Sequence, residues 1–456
     1  MVNVTRQKGV SNSNPSELRR WLISFLLNRA GSQARAVKRR EKLEQQRVKQ
    51  NRRHTVEYFH QVNDPNSHLT LQALEKLKKQ YDIDVVVHIV STISGDNFPE
   101  PDLWQQVALK DARTIAPFYQ LDFPKEFSIP QDDLVLIASK ILCNSDQNAF
   151  IAEGVKVSDA LWRCDLTCLQ QLAEKYGLAP DQTVADRLAS AHSRLNALKH
   201  FGAANFYYEG EWYWKVDRIY HLENRLIELG AARSNRHQLV APRPQVPSIY
   251  PESVKAMTLE YYVSLRSPYT AISWQPTIKM ASISGINLKV CPVLPMVMRG
   301  VPATYDKGMY FWFDVAREAA ANDIDFDKFY DPIGDPVMKG YSLYSWAKQQ
   351  GSGNDFFEAF LSAAFVEGIN LNSLKGLKQL VDSVGLDWSE AKNHLSDTSW
   401  RDEFEENRQV MYKSGNWGVP CYRLLDENGK ELLCSWGQDR LWLVAETMIK
   451  YGERIS

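Results

Sequence analysis

The sequence contains the same order of segments twice, and this internal repeat constrains the fold more than any other feature. Each copy opens with a β-rich run, an X-Pro-X-X stretch and a helical segment, and a second β-rich run follows. These segments begin at Thr55 in the first copy and at Thr258 in the second. Each copy closes with a predicted β-hairpin, starting at Phe206 or at Cys421, and a C-terminal helix. The repeat therefore predicts two units of one architecture that arose by tandem duplication.

Each predicted unit has the order βαβ, a helical insertion and ββα. The insertions extend over about 104–198 and about 310–411. This order describes an α/β thioredoxin fold that carries an inserted helical domain. We predict a basic helical arm, a first thioredoxin-like unit, an extended linker and a second thioredoxin-like unit, at 1–54, 55–230, 231–256 and 257–456.

The composition excludes several classes of protein. With 44% hydrophobic residues and a formal net charge of −1, the chain does not resemble a disordered protein. No run approaches the ~18 apolar residues of a membrane-spanning helix, so none is predicted. Six cysteines in 456 residues are too few for a disulfide scaffold, which indicates a reducing compartment and predicts a cytoplasmic protein. The cysteines and histidines also lack the spacing of a metal site, so no metal is predicted.

The near-neutral total charge conceals a basic N-terminal arm. Residues 1–54 contain 14 Lys or Arg and only 3 Asp or Glu, a net +11 that the remaining residues balance with −12. The cluster Lys38-Arg39-Arg40 could attract nucleic acid or an anionic membrane surface. We favour packing of the arm on the acidic body of the protein or on a partner, and we do not expect nucleic-acid binding.

Four motifs of the second unit carry a resemblance to a known family. They are Tyr261-Tyr-Val-Ser-Leu-Arg-Ser-Pro-Tyr-Thr270, Lys307-Gly-Met-Tyr310, Trp417-Gly-Val-Pro420 and Trp436-Gly-Gln-Asp-Arg440. In this order and spacing they resemble the DsbA-like thioredoxin-fold superfamily. Within it, the match is closest to 2-hydroxychromene-2-carboxylate isomerase and kappa-class glutathione transferase. The resemblance covers about 259–451.

Ser267 is the candidate catalytic residue. Its hydroxyl would cap the helix that starts at Pro268, beside unpaired backbone N–H groups. This position favours an anion and lowers the pKa of a thiol. A serine cannot form a disulfide, so the site would take its thiol from a cofactor. The resemblance implies that the cofactor is glutathione, with the serine hydrogen-bonded to its sulfur.

The resemblance also implies the other contacts to glutathione. Val419 would precede a cis proline, Pro420, and would pair like a strand with the cysteinyl part of glutathione. Gln438 and Asp439 would receive the γ-glutamyl group, and Lys307 would pair with a glutathione carboxylate. Two residues are assigned to the substrate pocket, Tyr269 and Thr270.

Each of these assignments has a structural alternative. Ser267 could be an ordinary N-cap, Asp439 a helix-start acid favoured by the helix dipole, and Lys307 a solvated lysine. The loop at 295–305 is also shorter than in the resembled enzymes and lacks their glutathione-contacting Asn. Arg299 is a candidate for the missing contact.

The first copy lacks the features that the site requires. Asp64 stands where Ser267 stands, and a carboxylate there would repel a thiolate. The stretch Gly202-Ala-Ala204 replaces Gly418-Val-Pro420, so the predicted cis proline is missing. We expect this unit to be structural or to serve as an interaction surface.

The sequence leaves the reaction open. A glutathione-dependent isomerase or transferase acting on a small-molecule electrophile is the main hypothesis. A non-catalytic thioredoxin-fold binding protein is the alternative, and a thiol oxidoreductase that uses a lone cysteine such as Cys421 is a lesser one. The oligomeric state is not predicted.

Overall fold

The described residues form two compact units. The computed structural model describes residues 14–91, 95–234 and 238–455. The C-terminal unit comprises Met1–Ala36, Pro244–Ala303 and Phe311–Ser456, and the N-terminal unit comprises Val37–Arg243 and Thr304–Tyr310. The first 13 residues of the predicted arm lie outside the described residues.

The arm forms two helices, α1 (Glu17–Gly31) and α2 (Gln33–Lys49). Helix α1 begins after Pro15-Ser16, where the sequence predicts a helix start. Helix α2 ends at Lys49, within the predicted helical arm. In the N-terminal unit, Arg40 of α2 makes two hydrogen bonds with Glu211, at 2.8 and 3.0 Å.

The N-terminal unit is built on a four-stranded mixed sheet with the order β2-β1-β3-β4. Strand β1 pairs parallel to β2 and antiparallel to β3, and β3 forms a hairpin with β4. The elements are β1 (Thr55–Gln61), α3 (Pro65–Gln80), β2 (Asp84–Val90), α4 (Pro101–Ile115), α5 (Asp132–Asn144), α6 (Gln147–Trp162), α7 (Leu166–Tyr176), α8 (Asp181–Ala197), β3 (Asn205–Tyr208), β4 (Glu211–Trp214) and α9 (Ile219–Glu228).

The C-terminal unit has a second four-stranded sheet, with the order β6-β5-β7-β8 and the same parallel and antiparallel pairings. The elements are β5 (Thr258–Val263), α10 (Pro268–Ser284), β6 (Asn287–Pro292), α11 (Tyr305–Ala320), α12 (Asp335–Gln349), α13 (Gly353–Ser362), α14 (Leu374–Ser383), α15 (Trp388–Ala391), α16 (Trp400–Lys413), β7 (Cys421–Leu425), β8 (Glu431–Trp436) and α17 (Leu441–Ile455). The first residues of α11, up to Tyr310, group with the N-terminal unit.

Buried aromatic side chains occupy matching places in the two sheets. Tyr58 of β1 stacks on Phe206 of the neighbouring strand at a ring distance of 5.0 Å, and Tyr261 of β5 stacks on Tyr422 at 5.0 Å. The hydroxyl of Tyr261 also contacts the following helix, through Ser273 Oγ at 2.6 Å. The predicted α/β fold class, with the order βαβ, helical insertion and ββα in each unit, is confirmed. Tandem duplication as the origin of this likeness stays a prediction.

The linker predicted at 231–256 contains little regular structure among its described residues. It includes a bridge between Ala232 and Tyr81 and a 3-10 turn at Glu252–Ala256. Residues 235–237 of the predicted linker lie outside the described residues. Across the described chain as a whole, no helix combines the length and the apolar character needed to cross a bilayer.

Candidate functional site

Ser267 lies between β5 and α10 and caps the helix. Its backbone is extended, with φ −82° and ψ 115°, and its Oγ accepts a hydrogen bond from the Thr270 N–H at 3.1 Å. The predicted N-cap is therefore confirmed. The side chain is half-buried. Because the N–H groups of the first helical turn lack intrahelical acceptors, negative charge is stabilised beside this hydroxyl.

The loop before β7 brings a cis peptide bond to Ser267. The Val419–Pro420 bond is cis, as predicted. Ser267 Oγ donates to the Val419 carbonyl at 3.4 Å. The Val419 N–H makes no hydrogen bond with the described part of the chain. The Val419 amide is therefore available to a ligand beside the Ser267 hydroxyl.

The turn that precedes α17 completes the group of segments around the cis bond. Gly437 N–H donates to the Pro420 carbonyl at 2.9 Å, which fixes the turn against the loop. Gln438 Nε2 donates to Glu318 at 3.0 Å and also contacts the Asp439 carboxylate. Gln438 and Asp439 are thus brought close to Pro420, and the buried Glu318 of α11 orients the Gln438 amide.

The first turn of α10 carries Tyr269 and Thr270. The Tyr269 hydroxyl donates to Asp314 of α11 at 2.8 Å, and Arg317 donates to the other oxygen of the same carboxylate at 2.8 Å. Thr270 is fully buried, and its Oγ1 has no hydrogen-bond partner among the described residues. Both predicted pocket residues therefore adjoin Ser267, and the orientation of the Tyr269 ring is set by α11.

Lys307 is placed in the N-terminal unit. Its Nζ donates to the Asn97 carbonyl at 2.5 Å and lies over the rings of Phe98 and Phe201, at 5.7 and 5.8 Å. The side chain is only 8% exposed, and burial lowers its pKa to about 8. The interpretation of Lys307 as a solvated lysine is therefore wrong. Its contact with a glutathione carboxylate stays a prediction.

Arg299 is buried under the loop that contains the cis bond. Its guanidinium donates to the Leu294 carbonyl at 2.9 Å and to the Trp417 carbonyl at 2.7 Å. Burial lowers its pKa. The sequence makes Arg299 a candidate ligand contact, but both of these hydrogen bonds go to the backbone. Arg299 therefore stabilises the backbone of the segment that precedes Gly418. In the sequence, the feature that points to Arg299 is that it is the single charged residue inside the apolar run 295–301.

Arg266, the residue before Ser267, was missed by the sequence analysis. Its guanidinium makes two hydrogen bonds with the Asp331 carboxylate, at 2.9 and 3.1 Å. Asp331 is 4% exposed and also accepts from the Ile333 N–H at 3.1 Å. This bidentate pair fixes the chain on the N-terminal side of Ser267 and neutralises the Arg266 charge beside the site.

The cysteine nearest the cis bond is Cys421, and it is fully buried. Its sulfur lies 3.8 Å from that of Cys434. Asn416 Nδ2 contacts the Cys434 sulfur at 2.9 Å. No cluster of His, Cys, Asp and Glu within the described ranges could hold a metal ion.

The equivalent position in the N-terminal unit has a different chemistry. Asp64 caps α3 by accepting from the N–H groups of Asn66 and Ser67, at 3.3 and 2.9 Å, and from the Ser67 hydroxyl at 2.8 Å. Burial raises the pKa of this carboxyl, which the Ser67 hydrogen bonds oppose. The described residues of this unit include no cis peptide bond.

The match to a known protein family concerns the C-terminal part of the chain. Residues 258–448 match the DSBA-like thioredoxin domain family. Similar solved structures include a 2-hydroxychromene-2-carboxylate isomerase, with 17% identity over 43% of this chain and 97% of that one and a TM-score of 0.37.

Two oxidoreductase structures are also similar. A probable DsbA oxidoreductase from Streptomyces coelicolor has 16% identity, covers 43% of this chain and 91% of that one, and has a TM-score of 0.33. The cytosolic disulfide reductase DsbM from Pseudomonas aeruginosa has 17% identity, covers 44% and 100%, and has a TM-score of 0.29. No curated protein sequence matches the chain.

Proposed function

We propose that the DsbA-like thioredoxin domain at residues 258–448 is a glutathione-dependent isomerase or transferase for a small-molecule electrophile. One observation carries this proposal. The hydroxyl of Ser267 lies at the N-terminus of α10, within 3.4 Å of the Val419 carbonyl in the cis Val419–Pro420 loop. A dithiol oxidoreductase needs a cysteine at this place, so a serine here points to a thiol supplied from outside.

The local geometry suits a bound thiolate. The Thr270 N–H already occupies a lone pair of Ser267 Oγ, which leaves the hydroxyl proton free to turn toward a ligand. Its present acceptor, the Val419 carbonyl, is 3.4 Å away, which is long for a bond between two oxygens. A thiolate sulfur would be a stronger acceptor, and the N-terminus of α10 would favour its charge.

The neighbouring groups match the remainder of glutathione. The Val419 N–H and carbonyl would pair with the cysteinyl backbone, as an added strand does. The Asp439 carboxylate would attract the γ-glutamyl ammonium group, and the Gln438 amide would donate to the adjacent carboxylate. These contacts fix the sulfur beside Ser267, which converts a bimolecular attack on the electrophile into a reaction within one complex.

Two reactions fit such a site. In an isomerase, the thiolate adds to a conjugated double bond, the resulting single bond rotates, and elimination of the thiolate restores the double bond. In a transferase, the carbanion formed by addition takes up a proton and the thioether is released. Both need stabilisation of charge on sulfur and on the electrophile's oxygen. Both reactions require reduced glutathione, which the isomerase regenerates and the transferase consumes, and this requirement fits a reducing, cytoplasmic compartment.

A non-catalytic binding protein is the second candidate. It is supported by the polar groups beside Ser267, which already have partners inside the fold. The Tyr269 hydroxyl is bonded to Asp314 and the Gln438 amide to Glu318. If these bonds persist when a ligand is bound, the site would hold a thiol without assisting a reaction.

The test is a titration of the full chain with glutathione, followed by thiolate absorbance and calorimetry. We expect wild type to bind at millimolar glutathione with increased thiolate absorbance, and Ser267→Ala to lose that absorbance. Ser373→Ala is the matched control, because Ser373 caps α14 in the same way, accepting from Gly376 N–H at 3.0 Å. Absence of binding by wild type would overturn the proposal, and binding without a thiolate signal would favour the non-catalytic candidate.

A further inference from the structure

Helix α1 is attached to the C-terminal unit through polar groups. Arg20 is fully buried and donates to the carbonyls of Asp331 and Ile333, at 2.5 and 2.7 Å. Ser24 is also buried and accepts from the Asp331 N–H at 3.0 Å. Further bonds join Asn28 to both backbone groups of Phe329, at 2.9 and 2.7 Å, and Trp312 Nε1 to the Leu27 carbonyl, at 2.8 Å. The docked face of α1 is therefore the polar one.

The opposite face of α1 is apolar and exposed. Its members follow the spacing i, i+3, i+4, i+7 and i+8, which places them on one side of a helix. We call this set the α1 stripe: Leu18, Trp21, Leu22, Phe25 and Leu26, which are 74%, 52%, 46%, 50% and 52% exposed. The rings of Trp21 and Phe25 stack at a distance of 5.6 Å, so the stripe is continuous.

This orientation is the reverse of the usual one. A helix on the surface of a globular unit normally turns its apolar side to the core and its charges to water. Single exposed apolar side chains are common, but adjacent ones on one helix face mark a contact surface. The polar bonds of Arg20 and Ser24 hold α1 so that the stripe cannot turn inward. The stripe is therefore presented outward by specific interactions.

The charges beside the stripe are positive. Arg19 and Arg29 of α1 are exposed, belong to the same compact unit, and make no ion pair with the described residues. The single acid of α1, Glu17, is engaged by the side-chain amides of Asn370 and Asn372. An occupant of this surface must therefore offer apolar material together with negative charge.

We propose that the α1 stripe docks on the surface of a lipid bilayer that contains anionic lipids. The helix would lie parallel to the membrane plane, with the stripe among the upper acyl chains and the arginines at the lipid phosphates. From Leu18 to Leu26 the stripe is about 12 Å long, which suits a surface helix and is far too short for a membrane span.

Charge argues against a second copy of the chain as the occupant. A two-fold contact between two α1 stripes would bring the same arginines of both copies together. Like charges facing each other across an interface oppose association, whereas lipid phosphates would neutralise them. Charge complementarity therefore selects an anionic surface.

The test uses the full chain and two kinds of vesicle, phosphatidylcholine alone and phosphatidylcholine mixed with phosphatidylglycerol. In sedimentation assays we expect at least tenfold stronger partitioning to the anionic vesicles, decreasing as salt is raised. The double variant Trp21→Glu/Phe25→Glu should lose at least tenfold in partitioning. Ile283→Glu is the matched control, because Ile283 is a 50% exposed apolar residue on helix α10, and it should bind as wild type does.

A second variant distinguishes the effect of removing positive charge from an effect of misfolding. Arg19→Gln/Arg29→Gln keeps the stripe and should remove the preference for anionic vesicles, with unchanged circular dichroism. Equal binding of wild type to both vesicles, or no binding to either, would overturn the proposal. It would equally be overturned if the double variant bound as wild type does. A dimer seen by sedimentation velocity and lost in the double variant, without vesicle binding, would show that the stripe contacts protein instead.

Discussion

A glutamate lies at the same position in the central strand of each sheet, and each is held by hydrogen-bond donors. Glu57 of β1 accepts two hydrogen bonds from Arg194, at 2.8 and 2.6 Å, and one contact from His88 at 2.9 Å. Burial alone would raise the pKa of Glu57, but the bonds from Arg194 and His88 outweigh it and lower the pKa to about 2. Glu260 of β5 is held by Lys289, Arg423 and Tyr262, and its pKa is also lowered. These carboxylates tie neighbouring elements to the central strands.

Replacing Glu57 should change how stability depends on pH. A carboxyl whose pKa is lowered by folding stabilises the folded state at pH values above its unfolded pKa, which is 4.5 for Glu57. This stabilisation is lost as the pH falls toward 2. Allowing for the exposure of Arg194, we expect Glu57→Gln to cost about 2 kcal/mol at neutral pH and almost nothing near pH 2. Urea unfolding at several pH values measures this difference. Glu174→Gln, at an exposed position, is the control, and an equal cost for Glu57→Gln at every pH would contradict the prediction.

The parts of the site that the sequence predicts correctly are those set by local chemistry. The Ser267 cap follows from a serine before Pro268, and the cis bond at Val419–Pro420 follows from a short motif. The supports of these residues involve partners far away in the sequence. Arg299 meets Trp417 across 118 positions, and a single sequence does not specify such pairs. The same reason explains why the ion pair of Arg266 was missed.

At the scale of elements, α1 is a helix whose docked face does not follow from its apolar spacing. The spacing of Leu18, Trp21 and Phe25 predicts the helix, and by itself it indicates an apolar face turned to a core. The structure buries Arg20 and Ser24 instead. Periodicity determines which residues share a face, but the partners of the polar face, here backbone groups of Asp331 and Ile333, determine which face is docked.

The loop before β7 depends on the absence of a side chain at Gly418. A methyl group there would overlap the ring of Trp436, so the loop or the ring would have to move. We expect Gly418→Ala to cost about 1–3 kcal/mol in stability and to abolish glutathione binding, because Val419 and Pro420 would be displaced. Thermal unfolding and calorimetric titration measure the two effects.

The matched control for this loop is a glycine with open space around it. A methyl group at Gly308, inside α11, would meet no atom within 4 Å. Gly308→Ala should therefore be neutral or stabilise the helix by up to about 1 kcal/mol. Unchanged glutathione binding by Gly418→Ala would show that the packing of this loop does not position the ligand.

At the scale of the whole molecule, one architecture occurs twice, but the residues at the two equivalent sites differ. Both sheets have the same strand order, but α10 starts at a serine beside a cis bond, whereas α3 starts at an aspartate. The order of elements could be predicted because turn residues and periodicity are local. The division of the chain into compact units could not be predicted in this way. Thr304–Tyr310 groups with the N-terminal unit, and Met1–Ala36 groups with the C-terminal unit. Such groupings depend on tertiary contacts.

This asymmetry predicts that glutathione stabilises one unit. A ligand at 100 times its Kd adds about 2.7 kcal/mol to the state that binds it. We expect glutathione to slow amide hydrogen exchange in peptides of β5, α10 and β7. The exchange rates of β1 and α3 should stay unchanged. Ser267→Ala should lose the effect, whereas Asp64→Ser, the matching cap in the N-terminal unit, should keep it. Slower exchange of β1 and α3, or loss of the effect in Asp64→Ser, would place the thiol-binding site in the N-terminal unit. In that case the Asp64 carboxyl would have to be protonated, because a charged carboxylate repels a neighbouring thiolate.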